Sequence, residues 1–205
     1  MMRMLAALLA LLAASTPASA QDQSEAEYLA ALEEALPGTL MNNPLNAQWL
    51  THGEGAKTKV VVASDVPGQR AYQVQVKEPK SNPWDISAHG SVSGGVEAGD
   101  TVMVAFWARA LKPDARIGAG GVQARLQQQA SPYAGVVERT FTLVDRWQVH
   151  YMSGVAAESF PPGAIDISFN VGHLKQTVEF GQYYVTNLGP GVDPSTLPSG
   201  SEDPQ

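Results

Sequence analysis

Val122-Gln123-Ala124-Arg125-Leu126-Gln127-Gln128-Gln129 alternates with a period of two. Gln123, Arg125, Gln127 and Gln129 share one face, and Val122, Ala124, Leu126 and Gln128 share the other. A strand turns successive side chains to opposite sides, so this stretch can bury one face and leave the second in water. Four long hydrogen-bonding side chains in register are more than solubility needs. Three are neutral amides, each with a donor and an acceptor, and one is a planar guanidinium. That set suits a ligand rich in hydroxyl groups and suits phosphate or nucleic acid poorly.

Ser131-Pro132-Tyr133-Ala134-Gly135 follows, and a second strand reads over residues 136–143. The two runs read as a hairpin with a five-residue loop. Over residues 165–171, Ile165, Ile167, Phe169 and Val171 form an apolar face and leave Asp166, Ser168 and Asn170 polar. If this strand and the glutamine strand share a sheet, their polar faces line one groove. On different sheets they are two solvated faces. Further strands read over residues 59–63, 72–76, 85–88, 101–110, 147–152 and 178–187, with Asp65-Val66-Pro67-Gly68 as a turn. Nine or so short strands, Gly and Pro turns and no β-α alternation predict an all-β fold: an antiparallel β-sandwich, most simply a jelly roll.

A short helix precedes the strands. Ser24 and Glu27 have capping-box spacing, Leu29, Leu32 and Leu36 form an apolar stripe, and Pro37-Gly38 ends it. Such a helix either docks a partner or folds over one end of the domain. Upstream, Arg3, the apolar run 5–14 and Ala18-Ser19-Ala20 have the pattern of a secretory signal peptide over residues 1–20. The apolar run is too short to span a bilayer comfortably, and no second segment is long and apolar enough to do so. The expected location is periplasmic or extracellular. The chain of 205 residues has no cysteine and a net charge of −7. Residues 1–20 hold one basic residue and no acidic one, so the remainder is more acidic still. An acidic chain with scattered Lys and Arg has no electrostatic footprint for nucleic acid or an anionic membrane. Without disulfides, stability must come from a core. Residues 190–205 are rich in Pro, Ser, Gly and acid, and read as a disordered tail.

Trp84 follows Asn82-Pro83 at a strand entrance, where it fits either a core tryptophan or a stacking platform. Trp49, Trp107 and Trp147 read as packing residues. Tyr133 lies at a loop tip, a placement that suits binding. His52, His89, His150 and His173 are far apart and lack metal-ligand spacing. No Gly-x-Ser-x-Gly, His-Glu-x-x-His or phosphate loop is present. The acids form no pair that spacing alone assigns to glycoside hydrolysis.

Two family resemblances arise. Gln148-Val149-His150 resembles the Gln-Ile/Val-His motif of jelly-roll alginate lyases, in which Gln and His line the groove and His works with a Tyr. The Arg-Ser/Thr-Glu-Leu and Tyr-Phe-Lys-Ala-Gly segments of that family are absent. A broader likeness runs over residues 38–189. Trp49, Gly68, Tyr72-Gln73-Val74-Gln75-Val76, Asn82-Pro83-Trp84-Asp85-Ile86, the strand 98–110, Trp147-Gln148-Val149 and the closing strand 179–188 come in order. Together they resemble a carbohydrate-binding module of the family 4/9 type, a galactose-binding-like β-sandwich often attached to xylanases and other glycan enzymes. Such modules often close on a strand with paired aspartates associated with structural calcium. Here that strand is Phe180-Gly181-Gln182-Tyr183-Tyr184-Val185-Thr186-Asn187, without the pair, so no cofactor is expected.

The expected organisation is a signal peptide over 1–20, a helical segment over 21–37, a carbohydrate-binding-like sandwich over 38–189 and a tail over 190–205. The expected function is non-catalytic binding of oligo- or polysaccharide, with glycan-degrading enzymes as partners by the resemblance. Arg125, Gln127 and Gln129 would bond hydroxyls, and Trp84 and Tyr133 would stack on sugar rings. Asp85 and Asn170 complete the candidate site. Two other classes stand beside it: a polysaccharide lyase using Gln148, His150 and a tyrosine, and an envelope accessory protein whose sheet face meets another protein.

Overall fold

The apolar run at residues 101–110 becomes the centre of a seven-stranded sheet. The structure, a computed structural model, describes residues 25–204. The signal segment over 1–20 and the capping role of Ser24 lie outside the described residues. Helix α1 (Glu25–Ala35) opens the described chain. The strands follow as β1 (Thr39–Leu40), β2 (Trp49–His52), β3 (Ala56–Val62), β4 (Arg70–Val76), β5 (Ser87–Ser91) and β6 (Asp100–Lys112). Then come β7 (Gly120–Gln128), β8 (Gly135–Leu143), β9 (Gln148–Val155), β10 (Ile165–Asn170), β11 (Gln176–Pro190) and β12 (Gly200–Glu202). The larger sheet has the order β12-β9-β6-β11-β4-β3, with β1 also paired to β11. The smaller has the order β2-β5-β10-β7-β8. The named strand pairings are antiparallel. The fold is the all-β sandwich that the alternation of strands and turns predicts.

Alternation explains which residues meet between the sheets. Val102, Val104, Phe106 and Ala108 face Val122, Ala124, Leu126, Ile165, Ile167 and Phe169, and all are buried. Phe169 stacks on Phe180 with ring centroids 4.6 Å apart and meets Phe106 edge-on at 4.9 Å. Trp49 packs against this core and stacks on Tyr72 at 5.1 Å. Burial holds the Tyr183 hydroxyl at about 12, and it donates to Ser91 O at 2.8 Å. The Tyr183 ring fits because β5 carries Gly90 above it, where a Cβ would come within 2.5 Å of a ring carbon. Buried Gln176 ties the sheets together: its amide accepts from Gly121 N and donates to Gly121 O and Val171 O. A buried amide so fully partnered avoids the desolvation cost of a free one.

A second core lies on the outer face of the larger sheet. Ala105, Trp107, Trp147, Tyr151 and Tyr184 pack there with Leu32 of α1 and Leu36 just after it. The helix therefore folds over the domain, and Trp107 and Trp147 are the packing residues expected of them. This also explains why β6 is apolar on both faces: each face has a layer against it.

Two readings differ from the structure. The strand expected over 85–88 begins instead at Ser87, because Pro83–Asp85 forms a 3-10 turn capped by Asn82. The tail over 190–205 is not a disordered segment as far as Pro204. Pro194–Thr196 forms a 3-10 turn, and β12 adds to the edge of β9, pairing Gly200 with Tyr151 and Glu202 with Val149. Edge pairing is made by backbone groups, so it does not depend on the apolar pattern of a core strand.

Candidate functional site

β5, β10 and β7 lie side by side, so register decides which side chains meet on the outer face of the smaller sheet. One row crosses His52, Ser87, Asn170 and Gln123. The next crosses Leu50, His89, Ser168 and Arg125. In a third, Asp166 faces Gln127. The two polar strand faces found by alternation thus belong to one sheet and are nearest neighbours.

Two raised elements turn this face into a groove of about 500 Å³. Trp84 enters from the β5 end. Pro83 keeps Asn82 extended, the 3-10 turn lifts the indole, and 56% of the residue is exposed. Tyr133 enters from the β7–β8 loop with 52% exposure. Its backbone is in the left-handed region at φ 58°, a conformation a tyrosine rarely adopts. Tyr133 N donates to Ala130 O at 2.7 Å, and Arg125 Nη2 donates to Tyr133 O at 3.3 Å. The loop is thereby tied to the floor of the groove.

The floor is a hydrogen-bonded network. His89 Nδ1 lies 2.6 Å from Asp166 Oδ2, and His89 Nε2 lies 2.9 Å from Ser87 Oγ. Ser168 Oγ donates to Asn170 Oδ1 at 2.9 Å, and Asn170 Nδ2 donates to Gln123 Oε1 at 3.2 Å. Arg125 Nε is 2.8 Å from Glu138 Oε2 without hydrogen-bond alignment, so that contact is Coulombic. It neutralises the one guanidinium of the groove. Gln129 Nε2 donates to Ile165 O at 3.1 Å. Gln127, in contrast, lines the groove with its amide unpartnered among the described residues.

Trp84, Arg125, Gln127, Gln129, Tyr133 and Asn170 all line this groove. Asp85 does not. Its carboxylate accepts from Asn82 N at 2.9 Å and from the Asn82 side chain, so it caps the turn that presents Trp84. His52, Ser87, His89, Asp166 and Ser168 also line the groove, beyond the residues that the sequence reading places in the site. Their signal is the alternation of Ser87-Ala88-His89 and Asp166-Ile167-Ser168, which places these polar side chains on one strand face.

The residues of the lyase resemblance lie elsewhere. Gln148 and His150 belong to β9 of the larger sheet. His150 is buried between Phe106 and Phe141, which pushes its pKa down to about 4. Among the described residues no group of three or more His, Asp or Glu side chains has an arrangement that could hold a metal ion. Asp100, beside the closing strand, commits its Oδ2 to Glu97 N and Asn187 Nδ2. Among the described residues no helix is long and apolar enough to cross a membrane.

No protein-family model matches the chain, and no curated relative does. Solved structures do match. A CBM4 module has a TM-score of 0.54 at 19% identity, over 71% of this chain and 89% of that one. The BiXyn10A CBM1 module has a TM-score of 0.52 at 13% identity, over 73% and 97%. The CBM22-1 xylan-binding domain of Xyn10C from Paenibacillus barcinonensis has a TM-score of 0.50 at 11% identity, over 77% and 99%. The fold is a β-sandwich of the carbohydrate-binding-module type.

Proposed function

We infer that this chain is an exported protein that binds oligo- or polysaccharide in the groove of the smaller sheet and leaves glycosidic bonds intact. The observation that carries this reading is the unpartnered Gln127 amide on a polar floor between two half-exposed aromatics, Trp84 and Tyr133. Aromatic faces suit the C–H faces of sugar rings, and amides suit their hydroxyls. Arg125, Gln129 and Asn170 are further hydroxyl partners, each held in place by a neighbour. Neutralised charge favours an uncharged glycan. The fold's likeness to a xylan-binding domain makes xylan a natural first ligand to test. Asp166 is the one acid lining the groove, and hydrolysis of a glycosidic bond ordinarily uses two. The signal-like residues 1–20 support export, and glycan-degrading enzymes are the fitting partners in that compartment.

A glycan array followed by calorimetry tests the reading. Weak binding to a neutral polysaccharide is expected, because an open groove exchanges water contacts for ligand contacts. Absence of binding across a broad panel overturns it. Unchanged affinity in the double variant Gln127→Ala plus Gln129→Ala removes the site.

A further inference from the structure

The floor of the groove holds more than hydroxyl-binding groups. We propose that it is also an acyl-transfer centre, with Ser87 as nucleophile, His89 as general base and Asp166 as the group that orients the base. Its substrate class is a glycan bearing O-acyl esters, a choice that rests on the glycan-binding reading.

The geometry has the three links such chemistry needs: a nucleophile on a base, a base on an orienting group, and all three lining a ligand cavity, with Ser87 itself nearly buried in its floor. Asp166 Oδ2 lies 2.6 Å from His89 Nδ1 and so fixes the proton there. That tautomer leaves Nε2 as an acceptor, and the Ser87 hydroxyl donates to it at 2.9 Å. Ser168 Oγ is a poorer candidate, standing 3.5 Å from Nε2 while donating to Asn170 Oδ1. The His52 ring packs edge-on against His89 at 4.7 Å and limits its rotation. Ser87 and His89 share β5, and Asp166 lies on the adjacent β10, so the constellation is built on paired strands and not on loops.

An oxyanion donor stands next to the nucleophile. Asn170 is the register partner of Ser87. Its amide is oriented by Ser168 and gives one N–H to Gln123, leaving the other for a developing negative charge. In the forward step Ser87 Oγ bonds to the ester carbonyl carbon, its proton passes to His89 Nε2, and the carbonyl electron pair moves onto oxygen. As that pair returns, the bond to the sugar oxygen breaks and the sugar oxygen takes the proton from His89. Water then repeats the sequence on the acyl-serine. It gives its proton to His89, the bond to Ser87 Oγ breaks, and Ser87 regains a proton as the carboxylic acid leaves.

The test uses the full chain. Intact-mass spectrometry after treatment with a fluorophosphonate probe should show one adduct, mapped to Ser87 and lost in Ser87→Ala. Acetate release from O-acetylated xylan should fall at least about 100-fold in Ser87→Ala, and about 100-fold or more in Asn170→Ala. Circular dichroism melting checks that the variants remain folded. Wild-type protein that neither takes the probe nor releases acetate overturns the proposal, as does labelling that persists in Ser87→Ala. Calorimetry with unmodified glycans separates the two readings. Binding without labelling or hydrolysis overturns the acyl-transfer centre alone. Labelling at Ser87 without glycan binding supports the centre and removes the glycan reading.

Discussion

On the outer face of the larger sheet, Trp107, Trp147 and Tyr184 lie under Leu32 of α1 and Leu36 just after it. On the outer face of the smaller sheet, Ser87, His89, Arg125 and Gln127 look into an open groove. The pleat and the pairing rules are the same in both sheets. The outward residues differ. Apolar outward positions on β6 recruit a cover, and the helix supplies it. Polar outward positions on β7 and β10 recruit none, and the surface stays available. Covered aromatics contribute stability, while exposed ones such as Trp84 keep a face free for a ligand.

Mutations that exchange these roles test the contrast. The largest effect is expected at Trp107, which is 1% exposed. Trp107→Ala should cost about 3–5 kcal/mol in urea unfolding. Glycan affinity per folded molecule should not change. A loss below about 1 kcal/mol would mean that the helix-covered face is not a packed layer.

The interior between the two faces has its own signature in acid. Burial holds His150 at about 4, against an ordinary 6.5. As pH falls through 6.5 the unfolded chain takes up a proton that the folded chain refuses until about 4. Stability therefore falls across that window, by up to about 3 kcal/mol. His150→Phe should flatten the pH dependence of chemical unfolding there. Asp100 and Asp203, both held low by hydrogen bonds, act only below the carboxylate range near 3.8. An undiminished slope between pH 6.5 and 4 in the variant would assign the acid sensitivity to other groups.

Smaller effects belong to the open face. Trp84→Ala should weaken glycan binding by about 1–2 kcal/mol. Its unfolding free energy should stay within about 0.5 kcal/mol of the parent. A drop in stability with affinity intact would make Trp84 a packing residue after all. Gln127→Ala comes last, with a loss of about 1 kcal/mol in calorimetry, the worth of one ordinary hydrogen bond.

The groove was legible wherever a side-chain period could be counted. Val122 to Gln129 and the polar positions of β10 were assigned to the correct faces because alternation is a local property. The His89–Asp166 contact joins residues 77 positions apart and depends on β5 lying against β10. No count along the chain yields that neighbour. β5 itself was displaced because Ser87-Ala88-His89-Gly90-Ser91 has little β-propensity, while the preceding Pro83-Trp84-Asp85-Ile86 looks more strand-like. Asp85 caps the turn and does not line the groove, as its three-residue spacing from Asn82, a capping signal, implies. The sequence leaves the helix either docking a partner or folding over one end of the domain, with no face of the sandwich named to receive it. The apolar outward face of β6 that receives it cannot be told by sequence from an ordinary central strand.

β12 closes one edge of the larger sheet with three residues, and Asp203 fastens it by accepting from Arg146 at 2.8 Å and from Gln148 at 2.9 Å. Without this segment, the β9 backbone from Val149 to Tyr151 would offer unpaired amides and carbonyls to any passing strand. The nearest complementary strand in a concentrated solution is the same segment of another copy. A three-residue polar strand at this edge is a poor template for pairing with a second copy, because short edge strands offer few backbone groups to an incoming strand.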